Sequence, residues 1–296
     1  MKLISFQSAA GVALGVVHPQ AGDRYAEVAR LGAGLPATLQ DLLAGGETML
    51  AQLRQAVANA AAEAAPWLPL RDARLRPPVP APGKIVCVGL NYAEHAKEGG
   101  NARPEYPSFF LRGATSLIAH GDPLVLPTAS DKLDYEAELA VVIGRRTRHA
   151  TADNALAAVA GYACFNDGTL RDYQRKTPQW TIGKNFDGTG GFGPWLVTPD
   201  ELPAGASGLG IVSRLNGQLM QNANTRDMLW SVAELIVLLT ECLTLEPGDV
   251  IATGTPSGVG YARKPPVFMR DGDVIEIEIE GLGCLRNTVQ AEEVAR

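Results

Sequence analysis

The feature that most constrains this chain is a pair of glutamates at the head of an apolar run, in residues 133–143 with the sequence LDYEAELAVVI. Alternate side chains of a β-strand share a face, so Glu136 and Glu138 point the same way. The residues that follow are apolar on both faces, which is typical of a strand buried on both sides. Two neighbouring buried carboxylates are costly unless a cation or hydrogen-bond donors compensate them. A hard divalent cation is the simplest compensation, because Mg²⁺ and Ca²⁺ prefer carboxylate oxygens.

A second stretch with the same glutamate spacing lies near the end of the chain. Residues 274–280, VIEIEIE, alternate regularly between apolar and acidic side chains. This alternation predicts a half-buried strand whose acidic face, with Glu276, Glu278 and Glu280, lies in water. Taken alone, the first pair is open to the same interpretation, so the rest of the chain has to distinguish a metal site from a solvated face.

Composition describes an ordinary globular protein and argues against several classes of partner. Hydrophobic residues make up 46% and charged residues 20% of the 296 residues, enough for a sizeable core. The net charge is −6 with no long basic run, which argues against nucleic acid and anionic membranes. No apolar run approaches the length needed to span a bilayer.

Cysteine usage and the first residues predict a cytoplasmic protein. Because no Cys-x-x-Cys pair occurs, we expect reduced thiols rather than a disulfide framework or a zinc site. Polar residues soon break the first apolar run, so the pattern of a secretory signal is missing. The scattered cysteines are Cys87, Cys164, Cys242 and Cys284.

Residues 1–75 predict a small N-terminal α/β unit. Strands are expected at residues 2–7 and 12–17, and a helix over the Ala- and Leu-rich residues 39–65. Residues 76–83, RPPVPAPG, break both helix and strand and predict a linker. No polar cluster indicates a site in this unit, so we interpret it as a packing or dimer-supporting appendage.

Residues 84–296 mix strands, turns and short helices, which favours an α+β, mostly β domain over regular βαβ alternation. Residues 152–160 are predicted to form a short helix. Ser231 and Glu234 form a capping box, which predicts the start of another helix.

Residues 91–98, NYAEHAKE, combine helix formers with polar groups and few apolar side chains. If this segment is helical, His95 and Glu98 share one face. An imidazole held by a carboxylate suits a general base, although an incidental pair on an exposed helix fits the same pattern. Glycines and prolines follow, so residues 91–107 are predicted to lie on a mobile loop that could act as a lid.

Four further polar residues are candidates for a site. Asp167 ends an apolar run and could add a third metal carboxylate, but Asn-Asp-Gly is also a turn sequence. Gln174 could contact a ligand. Lys184 lies among bulky residues and could pair with a carboxylate or an oxyanion, although a lone lysine is usually on the surface. Thr255 lies in a small-residue loop that could hold a carboxylate or form an ordinary turn.

Together these segments resemble the fumarylacetoacetate hydrolase family. Five motifs in the right order are far more specific than one Glu-x-Glu pair, and they favour the functional interpretation of Glu136, Glu138 and Asp167. The motifs are VGLNY at 88–92 with His95 and Glu98, DYEAEL at 134–139, ND at 166–167 with Arg171, Asp172 and Gln174, GKNFD at 183–187, and TGTPSGV at 253–259.

The resemblance implies a mixed β-sandwich-roll catalytic domain over residues 84–296, as in the longer bacterial members, and usually a homodimer. It also implies that Glu136, Glu138 and Asp167 bind Mg²⁺, or alternatively Mn²⁺ or Ca²⁺. One departure stands out. Many relatives carry Lys-Pro after the Phe-Phe-Leu motif, where this chain has Arg112 and Gly113, so Arg112 takes the place of an expected substrate contact.

Members of the family act on 2-oxo and β-diketo acids, so we expect a metal-dependent hydrolase that cleaves a carbon–carbon bond in an acylpyruvate or fumarylpyruvate. In this hypothesis the metal chelates the 1-carboxylate and 2-oxo oxygens of a small-molecule substrate. His95, oriented by Glu98, activates water, and Lys184 stabilises developing charge. The predicted substrate contacts are Gln174, Thr255 and Arg112.

Other activities fit the same motifs. Oxaloacetate decarboxylation needs the same chelation without a water nucleophile, and dienedioate isomerisation or hydrolysis of a sugar-derived diketo acid comes next. A binding protein without catalysis is a different class, and the presence of both His95 and Glu98 beside the carboxylates argues against it.

Overall fold

The computed structural model describes residues 1–61, 66–100 and 102–293 and is built mainly from two open β-sheets with short helices attached. The predicted α+β, mostly β class is therefore confirmed. Asn101, within the segment predicted to be a lid, lies outside the described residues.

The strands of the described part are numbered β1 to β19 in chain order. They are β1 (Lys2–Ser8), β2 (Gly11–Val17), β3 (Arg24–Glu27), β4 (Leu68–Pro69), β5 (Leu75–Arg76), β6 (Ile85–Gly89), β7 (Ser108–Arg112), β8 (Leu117–Ile118), β9 (Leu124–Leu126), β10 (Leu133–Asp134), β11 (Ala137–Ile143), β12 (Val159–Asp167), β13 (Thr169–Leu170), β14 (Gly190–Val197), β15 (Gly210–Leu215), β16 (Gln218–Asn224), β17 (Val250–Ala252), β18 (Val274–Ile279) and β19 (Gly283–Ala291). The α-helices are α1 (Leu39–Ala60), α2 (Ala93–Glu98), α3 (Arg171–Gln174), α4 (Thr181–Lys184) and α5 (Val232–Cys242).

The larger sheet has the strand order β4-β3-β2-β1-β14-β12-β11-β17-β6-β7, with β5 beside β1 and β8 beside β14. The second sheet has the order β16-β15-β18-β19-β9, and β10 pairs with β13. Strand β11 lies inside the larger sheet, antiparallel to β12 and β17.

Strand β11 is buried at every position, as the sequence predicts. Leu139 and Val141 belong to a core that also contains Ile277 of the second sheet. Ala140 and Val142 belong to a different core, which is shared with helix α1. The strand is thus covered by apolar side chains on both faces.

The N-terminal residues extend the larger sheet. Strand β1 pairs antiparallel with β14, so that Leu3 is opposite Leu196. Helix α1 starts at a capping box formed by Thr38 and Asp41 and ends at Ala60, while residues 62–65 of the predicted helix lie outside the described residues. The division into residues 1–75, a linker and residues 84–296 stays a prediction.

The helix predicted at residues 152–160 is wrong. Only Ala155–Ala158 form a short 3₁₀ turn, and Val159 already opens strand β12, opposite Ile143. Tertiary strand pairing here overrides the helical propensity of an alanine-rich segment. By contrast, the capping box of Ser231 and Glu234 opens helix α5 as predicted.

A separate question is whether any helix could cross a membrane. Among the residues that the structure describes, no helix is both long and apolar enough to do so.

Candidate active site

Strand pairing brings the three predicted metal carboxylates together. Glu136 precedes β11 and Glu138 lies within it, while Asp167 ends β12. Because β11 and β12 are antiparallel with Ala137 opposite Asn166, the head of one strand meets the end of the other. One carboxylate oxygen from each acid lies within 4.8 Å of the others, and all three side chains are buried. The sequence prediction that Asp167 converges on the glutamates thus agrees with the geometry.

Two of these carboxylates are paired with buried cations. Lys184 Nζ lies 2.8 Å from Glu136 Oε2 and 2.5 Å from Asp167 Oδ2. Arg171 Nη1 lies 2.6 Å from Glu136 Oε1. Burial raises the pKa of Glu136, but Lys184 and Arg171 outweigh it, and the net effect is a lowered pKa. Glu136 is therefore ionised inside the protein.

Glu138 lacks such a partner. Its Oε2 accepts a hydrogen bond of 2.9 Å from the Gly254 amide, and no cationic side chain pairs with it in the described part of the chain. Burial, followed by the charges of Asp167 and Glu136, raises the pKa of Glu138 well above its usual value. The site thus has an uncompensated acid in an all-oxygen donor set. These residues fit a hard divalent cation, which would supply the missing positive charge.

The predicted His95–Glu98 pair forms on helix α2. His95 Nδ1 lies 2.9 Å from Glu98 Oε1, and Glu98 Oε2 accepts a hydrogen bond of 2.8 Å from the Gly258 amide. The carboxylate is thus fixed from two sides. His95 lines a cavity that the three acids also line, and in the described part of the chain its ring nitrogen Nε2 has no hydrogen-bond partner. This geometry suits a proton-transfer group.

A cavity of about 390 Å³ connects these groups. It brings Lys184, Gln174 and Thr255 together with His95 and the three acids, as the sequence predicts. Its lining residues are Val88, Gly89, Leu90, His95, Gly99, Phe110, Glu136, Glu138, Asp167, Arg171, Gln174, Arg175, Trp180, Lys184, Thr255 and Tyr261.

A larger cavity, about 650 Å³, lies beneath helix α1. Leucines such as Leu39, Leu42 and Leu50 line it, and none of the three clustered acids does. The larger of the two cavities is therefore not the one that contains the candidate catalytic residues.

Arg112 is placed differently from the substrate contact that the sequence predicts. Its side chain is fully buried behind Asp167, with Nη1 2.5 Å from Asp167 Oδ1 and 3.0 Å from the Gly168 carbonyl. Its other donors bond to Ser116 and Thr189, and Arg112 does not line the cavity. The placement favours a role in holding Asp167, because every donor nitrogen already has a protein acceptor.

Asp134 organises the site but was not among the site residues predicted from the sequence. It accepts hydrogen bonds from Arg171 Nε at 2.8 Å and from the amides of Gly260 and Tyr261 at 2.8 and 2.9 Å. It thereby joins helix α3 to the loop that follows β17. The sequence did contain a signal for this residue. Asp134 lies two residues before Glu136, so the alternation of a strand places it on the same face as the two glutamates.

Gln221 is a second residue that sequence reasoning missed. This buried side chain from β16 accepts from the Ala137 amide at 2.9 Å and donates to Thr255 Oγ1 at 2.7 Å. It links the second sheet to the start of β11 and fixes a cavity wall. No local pattern marks it, because its partners are distant in sequence.

Comparisons with known proteins agree with this arrangement. Residues 84–290 match the family model described as "Fumarylacetoacetate (FAA) hydrolase C-terminal". The chain is 41% identical over 293 residues to the Bos taurus protein named "Oxaloacetate tautomerase FAHD2B, mitochondrial", covering 98% of this chain and 91% of that protein.

Two solved structures are similar over nearly the whole chain. A fumarylacetoacetate hydrolase from Exiguobacterium antarcticum is 36% identical with a TM-score of 0.83, covering 99% of this chain and 100% of that one. A maleylpyruvate hydrolase from Sphingobium sp. SYK-6, in complex with manganese(II) and pyruvate, is 32% identical with a TM-score of 0.80 and the same coverage. By family model, sequence identity and fold, the chain belongs to the fumarylacetoacetate hydrolase family.

Proposed function

We propose that this chain is a divalent-metal-dependent enzyme that moves a proton at the carbon next to the 2-oxo group of oxaloacetate, interconverting its enol and keto forms. The observation that carries the proposal is the position of His95, held by Glu98, in the same cavity as the three-carboxylate cluster. The name of the bovine relative supports oxaloacetate as the first substrate to test.

Glu136, Glu138 and Asp167 would hold the metal ion. When bound, it would supply Lewis-acid chemistry to the oxygen atoms of a 2-oxo acid. Mg²⁺ is the ion that we propose first, with Mn²⁺ or Ca²⁺ as alternatives. Manganese is the ion named with the Sphingobium relative.

The proton transfer falls to His95. In the enol-to-keto direction, protonated His95 gives its Nε2 proton to C3 of the ligand, and the enol hydroxyl loses its proton to solvent. One C–H bond forms and one O–H bond breaks, and solvent re-protonates the ring, so no oxidant or reductant is needed. Glu98 stabilises the imidazolium through Nδ1. Lys184 pairs with Glu136 and Asp167, and Gln174 and Thr255 line the cavity that would hold the ligand.

Hydrolysis of an acylpyruvate or fumarylpyruvate is the second candidate. The same His95–Glu98 pair could deprotonate a water molecule for attack on the distal carbonyl, and the Sphingobium relative is named a maleylpyruvate hydrolase. Decarboxylation of oxaloacetate differs from both, because breaking its carbon–carbon bond requires no general base. A requirement for His95 would therefore distinguish tautomerisation and hydrolysis from decarboxylation.

The test follows ultraviolet absorbance of the purified protein with oxaloacetate, acetylpyruvate and fumarylpyruvate, each with Mg²⁺ and with excess EDTA. We expect EDTA-sensitive loss of the oxaloacetate enol signal without formation of pyruvate. Formation of pyruvate from an acylpyruvate would replace the proposal by the hydrolase, and pyruvate from oxaloacetate would replace it by the decarboxylase.

The variant His95→Gln should lower the enol–keto rate by about 10²–10⁴-fold and leave Mn²⁺ binding intact. His149→Gln is the matched control, because His149 is exposed and does not line the cavity. Equal rates for the two variants would remove His95 from the mechanism.

Two further points are proposals that rest on the family resemblance and composition. We propose a homodimer, which light scattering of the purified protein can test. The cytoplasmic location also stays a prediction, and the bovine relative is named a mitochondrial protein.

A further inference from the structure

A stack of three side chains forms one wall of the active-site cavity. The guanidinium carbons of Arg171 and Arg175 each lie 4.4 Å from the centroid of the Tyr261 ring. All three residues line the cavity. Such cation–aromatic contacts are favourable.

The two arginines differ in what they bind. Arg171 is buried, and its charge is met by Asp134 at 2.8 Å and Glu136 at 2.6 Å. Arg175 is exposed at the end of helix α3, and in the described part of the chain it has no hydrogen-bond or carboxylate partner. Arg171 therefore maintains the site, whereas Arg175 presents an unused positive charge to the cavity.

Tyr261 holds Arg175 at the cavity. The Tyr261 amide donates to Asp134 Oδ2 at 2.9 Å, so its backbone is tied to the same buried acid that binds Arg171. A flexible arginine stacked on a fixed ring loses less conformational entropy when it binds an anion. The stacked Arg175 is therefore better prepared to bind an anion than an arginine that extends freely into solvent.

The charge balance of the cavity favours a doubly negative ligand. The lining cations Arg171, Arg175 and Lys184 are matched in number by the three lining acids, so a divalent ion would leave an excess of two positive charges. A 2-oxo acid with one carboxylate neutralises half of that excess. A second carboxylate neutralises the rest, and among the described lining residues Arg175 is the cation without a carboxylate partner.

We propose that Arg175, presented by the Tyr261 ring, binds the distal carboxylate of the substrate and selects 2-oxo dicarboxylic acids over 2-oxo monocarboxylic acids. This inference rests on the proposed function, because it assumes that the first carboxylate and the 2-oxo group lie at the three-acid cluster. Arg175 is a specificity-determining residue and takes no part in proton transfer.

The test is calorimetric binding of 2-oxoglutarate and 2-oxovalerate to the Mn²⁺-loaded protein. These ligands share a five-carbon 2-oxo acid skeleton and differ in the terminal carboxylate. Arg175→Gln should weaken binding of 2-oxoglutarate by about tenfold, since it removes one partly exposed charge-assisted contact, and should leave 2-oxovalerate unchanged. Lys176→Gln is the control, because it removes the neighbouring charge, whose Nζ lies over Tyr173 instead.

A second pair of variants tests the ring. Tyr261→Phe keeps the aromatic ring and should keep the preference for 2-oxoglutarate over 2-oxovalerate. Tyr261→Leu removes the ring and should reduce that preference, as Arg175→Gln does.

Equal loss of 2-oxoglutarate binding in Arg175→Gln and Lys176→Gln would mean that long-range electrostatics, and not a direct contact of Arg175, sets the affinity, and this would overturn the proposal. An unchanged preference in Arg175→Gln would also overturn it, while leaving the proposed function standing. Failure of the wild-type protein to bind either ligand with Mn²⁺ would overturn the premise that a 2-oxo acid binds at the three-acid cluster, and the absorbance test with oxaloacetate would then decide the proposed function separately.

Discussion

Two strands of this protein carry glutamates two residues apart, and they use them in opposite ways. At the head of β11, Glu136 and Glu138 are 4% and 2% exposed and converge with Asp167. On β18, Glu276 and Glu278 face outward and form ion pairs with Arg286 at 3.6 Å and Arg214 at 2.6 Å.

The difference comes from the rest of each strand. Ile275, Ile277 and Ile279 alternate with the acids of β18, and they fill one face and leave the other to water. Strand β11 instead continues with apolar residues on both faces, and it lies between strands β12 and β17 inside the larger sheet. A water-facing acid costs little to ionise, whereas a buried one needs a fixed cation. The same spacing therefore gives a solvated acidic face in one strand and a buried cluster of acids in the other.

The largest expected difference concerns the cations that pair with these acids. Lys184→Met would leave Glu136 and Asp167 buried with one cation fewer, and we expect the free energy of unfolding to fall by about 3–5 kcal/mol. Arg214→Met removes the partner of Glu278 on the exposed face and should cost less than about 1 kcal/mol. Urea denaturation of both variants in EDTA measures the two values. Similar losses would show that the two acidic strands are not energetically distinct.

The second difference concerns metal affinity. Glu138→Gln keeps the size of the side chain but removes an anionic ligand, and we expect Mn²⁺ affinity to fall by about 100-fold or more, about 2.7 kcal/mol. Glu278→Gln is the matched control and should bind Mn²⁺ as the wild type does. Calorimetric titration with Mn²⁺ checks both. If Glu138→Gln retains wild-type affinity, the three-acid cluster is not the metal site.

A smaller effect of opposite sign is expected without metal. Burial and neighbouring acids raise the pKa of Glu138, so its ionised form is unfavourable in the folded protein. The neutral Glu138→Gln side chain removes that cost, and we expect the free energy of unfolding in EDTA at neutral pH to rise by on the order of 1 kcal/mol. A stability below that of the wild type would mean that Glu138 is well compensated without a cation.

The smallest effect is expected at the surface pair itself. Glu278→Gln should change the free energy of unfolding by about 0.2–1 kcal/mol, because the side chains of Arg214 and Glu278 are 35% and 48% exposed. The change should shrink further in high salt, since exposed charges are screened. Denaturation at low and high ionic strength provides the check. A large, salt-independent loss would contradict the interpretation of β18 as a solvated face.

The sequence predicted most of what depends on local pattern. The two-sided burial of β11, the outward acids of β18, the His95–Glu98 pair and the capping box of Ser231 all follow from residue periodicity. The convergence of Asp167 on the glutamates was predicted from motif order, because pattern alone left it open as a turn.

What the sequence could not predict depends on partners far along the chain. The alanine-rich residues 152–160 have helical propensity, yet Val159 pairs with Ile143 and begins a strand. Arg112 was predicted to contact the substrate, but its donors are bonded to Asp167 and to three other protein acceptors. Gln221 reaches the site from the second sheet. Each depends on a tertiary contact that leaves no mark on local periodicity.

The pairing of β1 with β14 also has a consequence for how the chain acquires its structure. Leu3 is opposite Leu196, so the first strand cannot find this partner until most of the chain has been synthesised. At about 5–20 residues per second, the wait on the ribosome is roughly 10–40 s. During that time β1 and β2 can form their hairpin and β5 can pair with β1 at Ser5 and Phe6, but the part of that edge at Lys2 and Leu3 stays open. This open apolar edge is where a nascent chain would be most exposed to aggregation and where a chaperone would bind to greatest effect.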